Sequence, residues 1–417
     1  MESRPVPYLH FRLSVLIFLA FAILGAWLPV FSLHLKNLGF SPEATAWASS
    51  ANAIGALLAP IIWGQIADRW LSMDRCIFVT AIVSGLGLFA LAELSDPGLV
   101  IAMCIAIWLF LIPVVGLTAA CVFRQLDHPD RDYGWIRVWG TIGWVATGWM
   151  LTGLLEWWTP AGTTADYADS LRLGGAASFA MAVYALTLPN VPPKAIESAA
   201  ARSWIGSLID APLRALKLFG NRSYVIYSIC MFGMNVTLPF TIQLNPLLLK
   251  KLEVSEGMTP LYLTASQSTE VLFLFLLPFL LQRFGMKPVM LAGALSWTAG
   301  LGVLSVGEPV EIVLASFVTH GVFICCFFIA GQVFVNRLAT HDIRASAQGI
   351  LLFISGSGLL VGHLLVGWLR SITQENFTLA FGCGAGVAGT MMILFLVGFS
   401  GPPREPEIDP QEAPVPH

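Results

Sequence analysis

Charge is scarce in this sequence. Lys and Arg (22) and Asp and Glu (25) make up only 11% of the 417 residues, against 56% hydrophobic residues and a mean hydropathy of +0.76. A soluble domain carries roughly 25% charge, so the composition argues against a soluble enzyme, a nucleic-acid binder or a disordered scaffold. The formal balance of −3 gives no basis for a polyanionic partner. Cysteine is also sparse. The seven Cys form no C-x-x-C pair and no metal-ligand spacing, and they read as free thiols filling space between helices. No P-loop, G-x-S-x-G or H-E-x-x-H is present, so neither an ATP-driven pump nor a hydrolase is indicated and no cofactor or metal is called for. A cleavable signal is also missing: the first apolar run is too long and has no small-residue cleavage pattern.

What the sequence has is long apolar runs. A bilayer-crossing helix needs ~20 mostly apolar residues. The pattern predicts twelve such helices, at 11–33, 44–67, 75–94, 98–122, 134–157, 171–189, 222–247, 260–283, 288–306, 309–335, 343–369 and 376–399. The sixth is the weakest, because Gly174 and Gly175 interrupt it. The 38 Gly and 25 Pro are scattered through these runs, as is common in membrane helices. With the N-terminus inside, 16 of the 22 basic residues fall in inner loops and tails and five in outer loops, with Arg137 inside a segment. The positive-inside rule therefore places both termini in the cytoplasm. The longest inner connection, 190–221, divides an N-terminal six-helix half (1–189) from a C-terminal one (222–399). The Pro-rich, acidic tail 400–417 is expected to be disordered. An all-α membrane protein of twelve transmembrane helices in two six-helix halves is the plan of the major facilitator superfamily, whose halves rock about a site near the membrane midplane.

The loop after the second segment reads Gly64-Gln65-Ile66-Ala67-Asp68-Arg69-Trp70. It resembles the superfamily signature G-x-x-x-D-R. Gly64 permits close helix approach, and Asp68 at an inner helix end could bond neighbouring helix N-termini. Gly64, Asp68 and Arg69 are therefore candidate gate residues, against the plainer reading of a solvated turn. A degenerate copy, Gln282-Arg283-Phe284-Gly285-Met286-Lys287, follows the eighth segment. Arg137 and Arg344 open the fifth and eleventh segments at matching points, as an internal repeat would place them, although an Arg there can also snorkel to the interface.

Glu270 is the one acidic residue deep within a predicted span, in Gln267-Ser268-Thr269-Glu270. A charge at the bilayer centre costs about 2.5–3.5 kcal/mol on insertion scales, and a low dielectric favours the neutral form of a carboxyl. Such a group suits proton coupling; the alternative is a structural carboxyl tied between helices. Gln267 lies one turn earlier on the same face. His320 and His363 also fall in spans. His363 reads as an interhelical donor, and His320 is balanced between that role and ligand binding. Trp27, Trp139, Trp144 and Phe323 could each supply an aromatic face or simply pack.

Together these pieces resemble the nucleoside:proton symporter family of that superfamily. The resemblance rests on Ala67-Asp68-Arg69-Trp70-Leu71-Ser72, on the block Ile136-Arg137-Val138-Trp139-Gly140-Thr141-Ile142-Gly143-Trp144, on Gln267 with Glu270, on Pro278 with Arg283-Phe284-Gly285, on Val333-Phe334-Val335 and on Arg344-Ala345-Ser346-Ala347-Gln348-Gly349. It implies proton-coupled nucleoside uptake across a bacterial inner membrane by a carrier expected to be monomeric. Arg137, Thr141, Gln267 and Glu270 would line the nucleoside site, with Trp144 supplying the ring and Glu270 the proton. The chain departs from the family at Leu238 and Thr241, where polar ligand contacts are usual, and at His320 and Cys325, where the family has Tyr and Asp. Symport of a sugar or another small polar metabolite therefore stays open, as does a non-transporting ligand sensor of the same fold.

Overall fold

The computed structural model describes residues 8–126, 129–158, 166–189, 215–255, 257–340 and 343–401. Most of the expected central connection and nearly all of the tail lie outside the described residues. Within them the chain is helical and contains no strand. Hydrocarbon offers a backbone no hydrogen-bond partner, and a helix satisfies its amides internally. The helices are α1 (Leu9–Trp27), α2 (Phe31–Asn37), α3 (Pro42–Arg69), α4 (Met73–Ala92), α5 (Pro97–Gln125), α6 (Pro129–Trp158), α7 (Ala168–Ala185), α8 (Arg222–Lys251), α9 (Thr259–Phe284), α10 (Met286–Val306), α11 (Val310–Ser316), α12 (Val318–Phe323), α13 (Ala330–Leu338), α14 (Arg344–Ile372) and α15 (Phe377–Gly398). A 3-10 turn at Leu28–Val30 joins α1 to α2, and a π-turn at Ile324–Ile329 joins α12 to α13.

Polar residues between the apolar runs set where the helices begin. Ser41, Asp96, Asn221 and Asn376 cap α3, α5, α8 and α15, each accepting from the backbone N–H three residues on. Pro42, Pro97 and Pro260 occupy first-turn positions, where a missing N–H costs nothing. Ten helical stretches among the described residues are long and apolar enough to cross a bilayer. The helices Pro42–Arg69 and Ala168–Ala185 fall outside that set. The latter is built largely from Ala, Gly and Ser around Asp169 and Arg172 rather than from large aliphatic side chains.

Two large apolar cores form among the described residues, with a small third one of Leu13, Ile17, Val122, Leu126 and Ile136. One is drawn from residues 16–188, around Trp27, Trp63, Trp108 and Leu111. The other is drawn mainly from residues 215–399, around Tyr227, Phe240, Trp297, Phe327 and Phe395. The two packs meet where α3 lies against α14 and α6 against α9. Within the first pack, α1 and α6 approach to backbone contact. A methyl group on Gly25 would run into the backbone of Trp144, and one on Gly143 into the carbonyl of Phe18. Thr147 Oγ1 donates to the Ala22 carbonyl at 3.0 Å across the same seam. Small residues that let helices touch are a main source of membrane helix packing.

Polar contacts tie the packs together at the end of the bundle away from residue 8. Lys36 pairs with Glu375 at 2.8 Å, and Arg370 reaches the other Glu375 oxygen at 3.1 Å. Lys250 Nζ donates to Asn37 Oδ1 at 3.3 Å, and Ser255 donates to Glu156. Partial burial raises the Glu375 carboxyl, but the hydrogen bond from Lys36 and the charge of Arg370 outweigh it and hold the group below the ordinary carboxylate range.

Three outcomes follow from this packing. Gly143→Val is expected to separate α1 from α6 and to lower the melting temperature of the detergent-solubilised protein by several degrees. Gly116→Ala, where a methyl meets nothing within 4 Å, should change stability by less than about 1 kcal/mol. Glu375→Gln should cost about 1–2 kcal/mol at pH 7, because it leaves the buried Arg370 without its anion while Glu375 itself is partly solvated. The Glu375 contribution is complete above the unfolded carboxyl value near 4 and disappears as pH falls through its lower folded value. Melting curves of the two proteins should therefore converge toward pH 3; a gap that stays constant with pH would contradict this.

Candidate functional site

The site lies at the seam between the packs. α6 brings Arg137, Thr141 and Trp144 to one face at intervals of three and four residues, and α9 brings Gln267 and Glu270 opposite them. Arg137 Nη2 lies 3.9 Å from Glu270 Oε1, with the two side chains 27% and 13% exposed. The guanidinium lies over the ring of Phe21 on α1, with Cζ 4.2 Å from the centroid. Gly140 makes room for this: a methyl there would lie 2.8 Å from Phe21 and 2.9 Å from Arg137 Nη1. That Nη1 is buried and has no partner among the described residues. Arg137 is thus held by one carboxylate and one π-face and keeps a donor in reserve.

Beside this pair is a cavity of about 140 Å³. Its lining includes Asn52 from α3, Trp144 from α6, Thr241 and Asn245 from α8, Gln267 from α9, Trp297 from α10 and His320 from α12. Trp297 Nε1 donates to Thr237 Oγ1 at 2.7 Å, which fixes the indole in the cavity wall. His320 packs edge-on against Trp297, with centroids 5.6 Å apart. Gln267 is tied to Ser266 Oγ at 2.9 Å; with its amide nitrogen facing the Leu263 and Thr264 carbonyls at 3.1 and 3.0 Å, its donors are satisfied within its own helix. The Trp144 indole N–H and the Asn245 carbonyl oxygen have no partner among the described residues. The cavity therefore offers aromatic faces and free amide and indole groups, which suits a planar solute with hydrogen-bonding edges.

The expected site residues thus separate into two groups. Trp144, Gln267 and His320 line the cavity. Arg137, Thr141 and Glu270 lie next to it, with Thr141 4% exposed and outside the lining. Of the other aromatic candidates, Trp27 and Phe323 are fully buried and Trp139 is 43% exposed; none of the three lines this cavity. Phe323 stacks on Trp297 at 4.7 Å and supports it from behind. His363 Nδ1 accepts from Gln243 at 2.7 Å between α14 and α8, so its contact is interhelical, but as an acceptor rather than the expected donor. Arg344 is exposed and donates to the Ala339 carbonyl, as an interface residue would. Gly64, Asp68 and Arg69 fall in the last turns of α3, and their side chains lie outside the described residues.

Sequence reasoning did not single out Asn52, Asn245, Trp297 or Phe21. An amide within an apolar run was the available signal for the first two. Nothing local marks Trp297 among 14 Trp or Phe21 among 27 Phe. The expected departure at Cys325 acquires a geometry: its Sγ donates to the backbone carbonyl of Glu270 at 3.2 Å, from within the π-turn. Single π-turns recur at functional positions of helices.

Comparison with known proteins identifies the family and the fold. Xanthosine permease of Escherichia coli is 31% identical over 416 residues, covering 93% of this chain and 95% of that protein. Nucleoside permease NupG of Escherichia coli is 26% identical over 388 residues, covering 88% and 89%. The crystal structure of the nucleoside transporter NupG matches with a TM-score of 0.80 at 25% identity, over 94% of this chain and 99% of that one. A D-xylose-proton symporter shares the fold at 14% identity, with a TM-score of 0.68 over 94% and 98%. The family model described as nucleoside H+ symporter matches residues 8–404. This integral, multi-pass membrane protein belongs to the nucleoside H+ symporter family.

Proposed function

We propose that the chain takes up nucleosides with protons, by alternating access of two six-helix halves that together span the membrane twelve times. In this reading Pro42–Arg69 and Ala168–Ala185 complete the twelve, residues 1–189 and 222–399 form the halves, and both termini face the cytoplasm of a bacterial inner membrane. The polar contacts around Glu375 then hold the outer face shut, and Gly64, Asp68 and Arg69 belong to the inner gate. The protein works as a monomer, since each chain holds a complete site between its own halves.

The Arg137–Glu270 pair carries the proposal. It joins α6 to α9, one helix from each pack, beside a cavity with aromatic and amide walls. When Glu270 takes up a proton the ion pair is lost, Arg137 is freed toward the solute, and the α6–α9 seam loosens. Trp144 stacks on the base, while Thr141, Gln267 and His320 act as hydrogen-bonding partners. One charge crossing 100 mV supplies about 2.3 kcal/mol. At 1.4 kcal/mol per tenfold ratio, that supports roughly 50-fold accumulation of a neutral solute. Binding of the solute and protonation of Glu270 stabilise the same state, so each promotes the other.

Glu270→Gln removes the titrating group and keeps a hydrogen-bonding side chain. In proteoliposomes it should abolish uridine accumulation driven by a pH gradient while preserving some uridine exchange. Accumulation that still follows the imposed gradient in the variant would refute the role of Glu270. Arg137→Ala should raise the KM for uridine by at least tenfold, an effect of about 1.4 kcal/mol or more for a lost charged hydrogen bond. A labelled-uridine competition panel that includes hexoses checks the substrate class: displacement by sugars rather than nucleosides would move the assignment to a sugar symporter.

A further inference from the structure

A second recess opens beside the first and is walled by both packs. Trp27, Ser32 and Asn52 line it from α1, α2 and α3; Gln243 and His363 line it from α8 and α14. Five buried polar atoms there have no partner among the described residues: Trp27 Nε1, Ser32 Oγ, Asn52 Oδ1, Gln243 Oε1 and His363 Nε2. Ser32, Gln243 and His363 are 4%, 1% and 1% exposed. A buried polar group without a partner costs about 1–3 kcal/mol, so five around one recess of a folded protein call for an occupant.

The hydrogen-bonding directions are fixed by the neighbours. Gln243 Nε2 lies 2.7 Å from His363 Nδ1 and 3.4 Å from the His363 carbonyl oxygen. The carbonyl can only accept, so the amide atom facing it is the nitrogen. His363 Nδ1 therefore accepts, and the imidazole hydrogen sits on Nε2. The residues lining the recess thus carry two unpaired donors, His363 Nε2–H and Trp27 Nε1–H, and two unpaired acceptors, Gln243 Oε1 and Asn52 Oδ1, with the Ser32 hydroxyl able to do either. A cation is disfavoured by the two N–H groups and an anion by the two carbonyl oxygens. A neutral hydroxyl both gives and accepts. The recess measures about 20 Å³, and one water-sized group needs roughly 10–15 Å³. It shares Leu28, Asn52 and Ile242 with the larger cavity, so Asn52 stands in a wall common to both.

We propose that this recess is a hydroxyl-binding subsite of the substrate cavity, filled by one hydroxyl of the bound solute or by a water molecule. The proposal rests on reading the larger cavity as the substrate site. The occupant bridges Asn52 and Ser32 of one pack to Gln243 and His363 of the other. Gln243 and His363 do not line the larger cavity, so any effect they have on affinity passes through this recess.

The test measures binding of uridine and of 2′-, 3′- and 5′-deoxyuridine to the full chain by competition with labelled uridine. It uses wild type, Asn52→Leu and the double variant Gln243→Leu/His363→Leu. If a solute hydroxyl fills the subsite, one deoxy analogue binds at least tenfold more weakly than uridine to wild type, and that preference disappears in both variants. If water fills it, the four ligands bind alike to each protein, and both variants weaken all four by a common factor of fivefold or more. Ser32→Ala leaves the Gln243–His363 pair intact and stands in for the double variant if that fails to fold; it should show the same pattern at smaller size. Affinities within twofold across all ligands and all proteins would overturn the subsite. A wild type that binds these ligands without proton-driven accumulation would refute the transport reading and leave this test intact. A wild type that binds none of them would refute both.

Discussion

An unpartnered backbone amide in hydrocarbon costs several kcal/mol, and a charged side chain about as much. That penalty governs the structure. It makes the described chain helical, confines most charges to the helix ends, and makes each polar side chain left inside a span a local problem to be solved. Most are solved within the protein. Thr147 bonds the Ala22 carbonyl, Trp297 bonds Thr237, Ser355 bonds Asn235, and Glu270 faces Arg137. Of the eighteen buried side-chain atoms without a partner among the described residues, seven belong to residues lining the two recesses. They include atoms of Trp144, Asn245, Asn52, Gln243 and His363, around two adjoining recesses between the packs. Where the protein leaves polar groups unsatisfied in a medium that penalises it, a solute or water has a place to bind.

Much of this was legible in the sequence because the same penalty shapes composition. Long apolar runs can only be spans, and Glu270 stood out as the one acid well inside a run. The family resemblance implies that Glu270 and Arg137 share a site but not that they pair, because sequence spacing cannot report which faces of α6 and α9 meet. Phe21, Asn52 and Trp297 were hidden for a related reason. A helix apolar on all sides has no marked face, so periodicity does not say which residues look inward. The separation of the site residues into Trp144, Gln267 and His320 around the cavity and Arg137, Thr141 and Glu270 beside it is likewise a property of packing.

The departures from the family also acquire a physical setting. His320 rests against Trp297 at the cavity wall, and Cys325 donates to the Glu270 backbone from a π-turn. A thiol in that place holds the helix carrying the carboxylate without adding a second charge. The region around Glu270 is therefore governed by one acid and one base.

The contact of α1 with α6 has a mechanical consequence. Gly25 and Gly143 bring the two backbones together so closely that neither helix can slide along the other without its neighbours colliding. The seam is consequently stiff; at the boundary between the packs Gly148 of α6 faces the Thr264 side chain of α9, and Gly367 of α14 faces Ala46 and the Pro42 carbonyl of α3. In the proposed alternation the first pack would then move as one lever against the second, and because the solute cavity lies in that same boundary, a molecule wedged there would stall the machine by taking the place of its cargo.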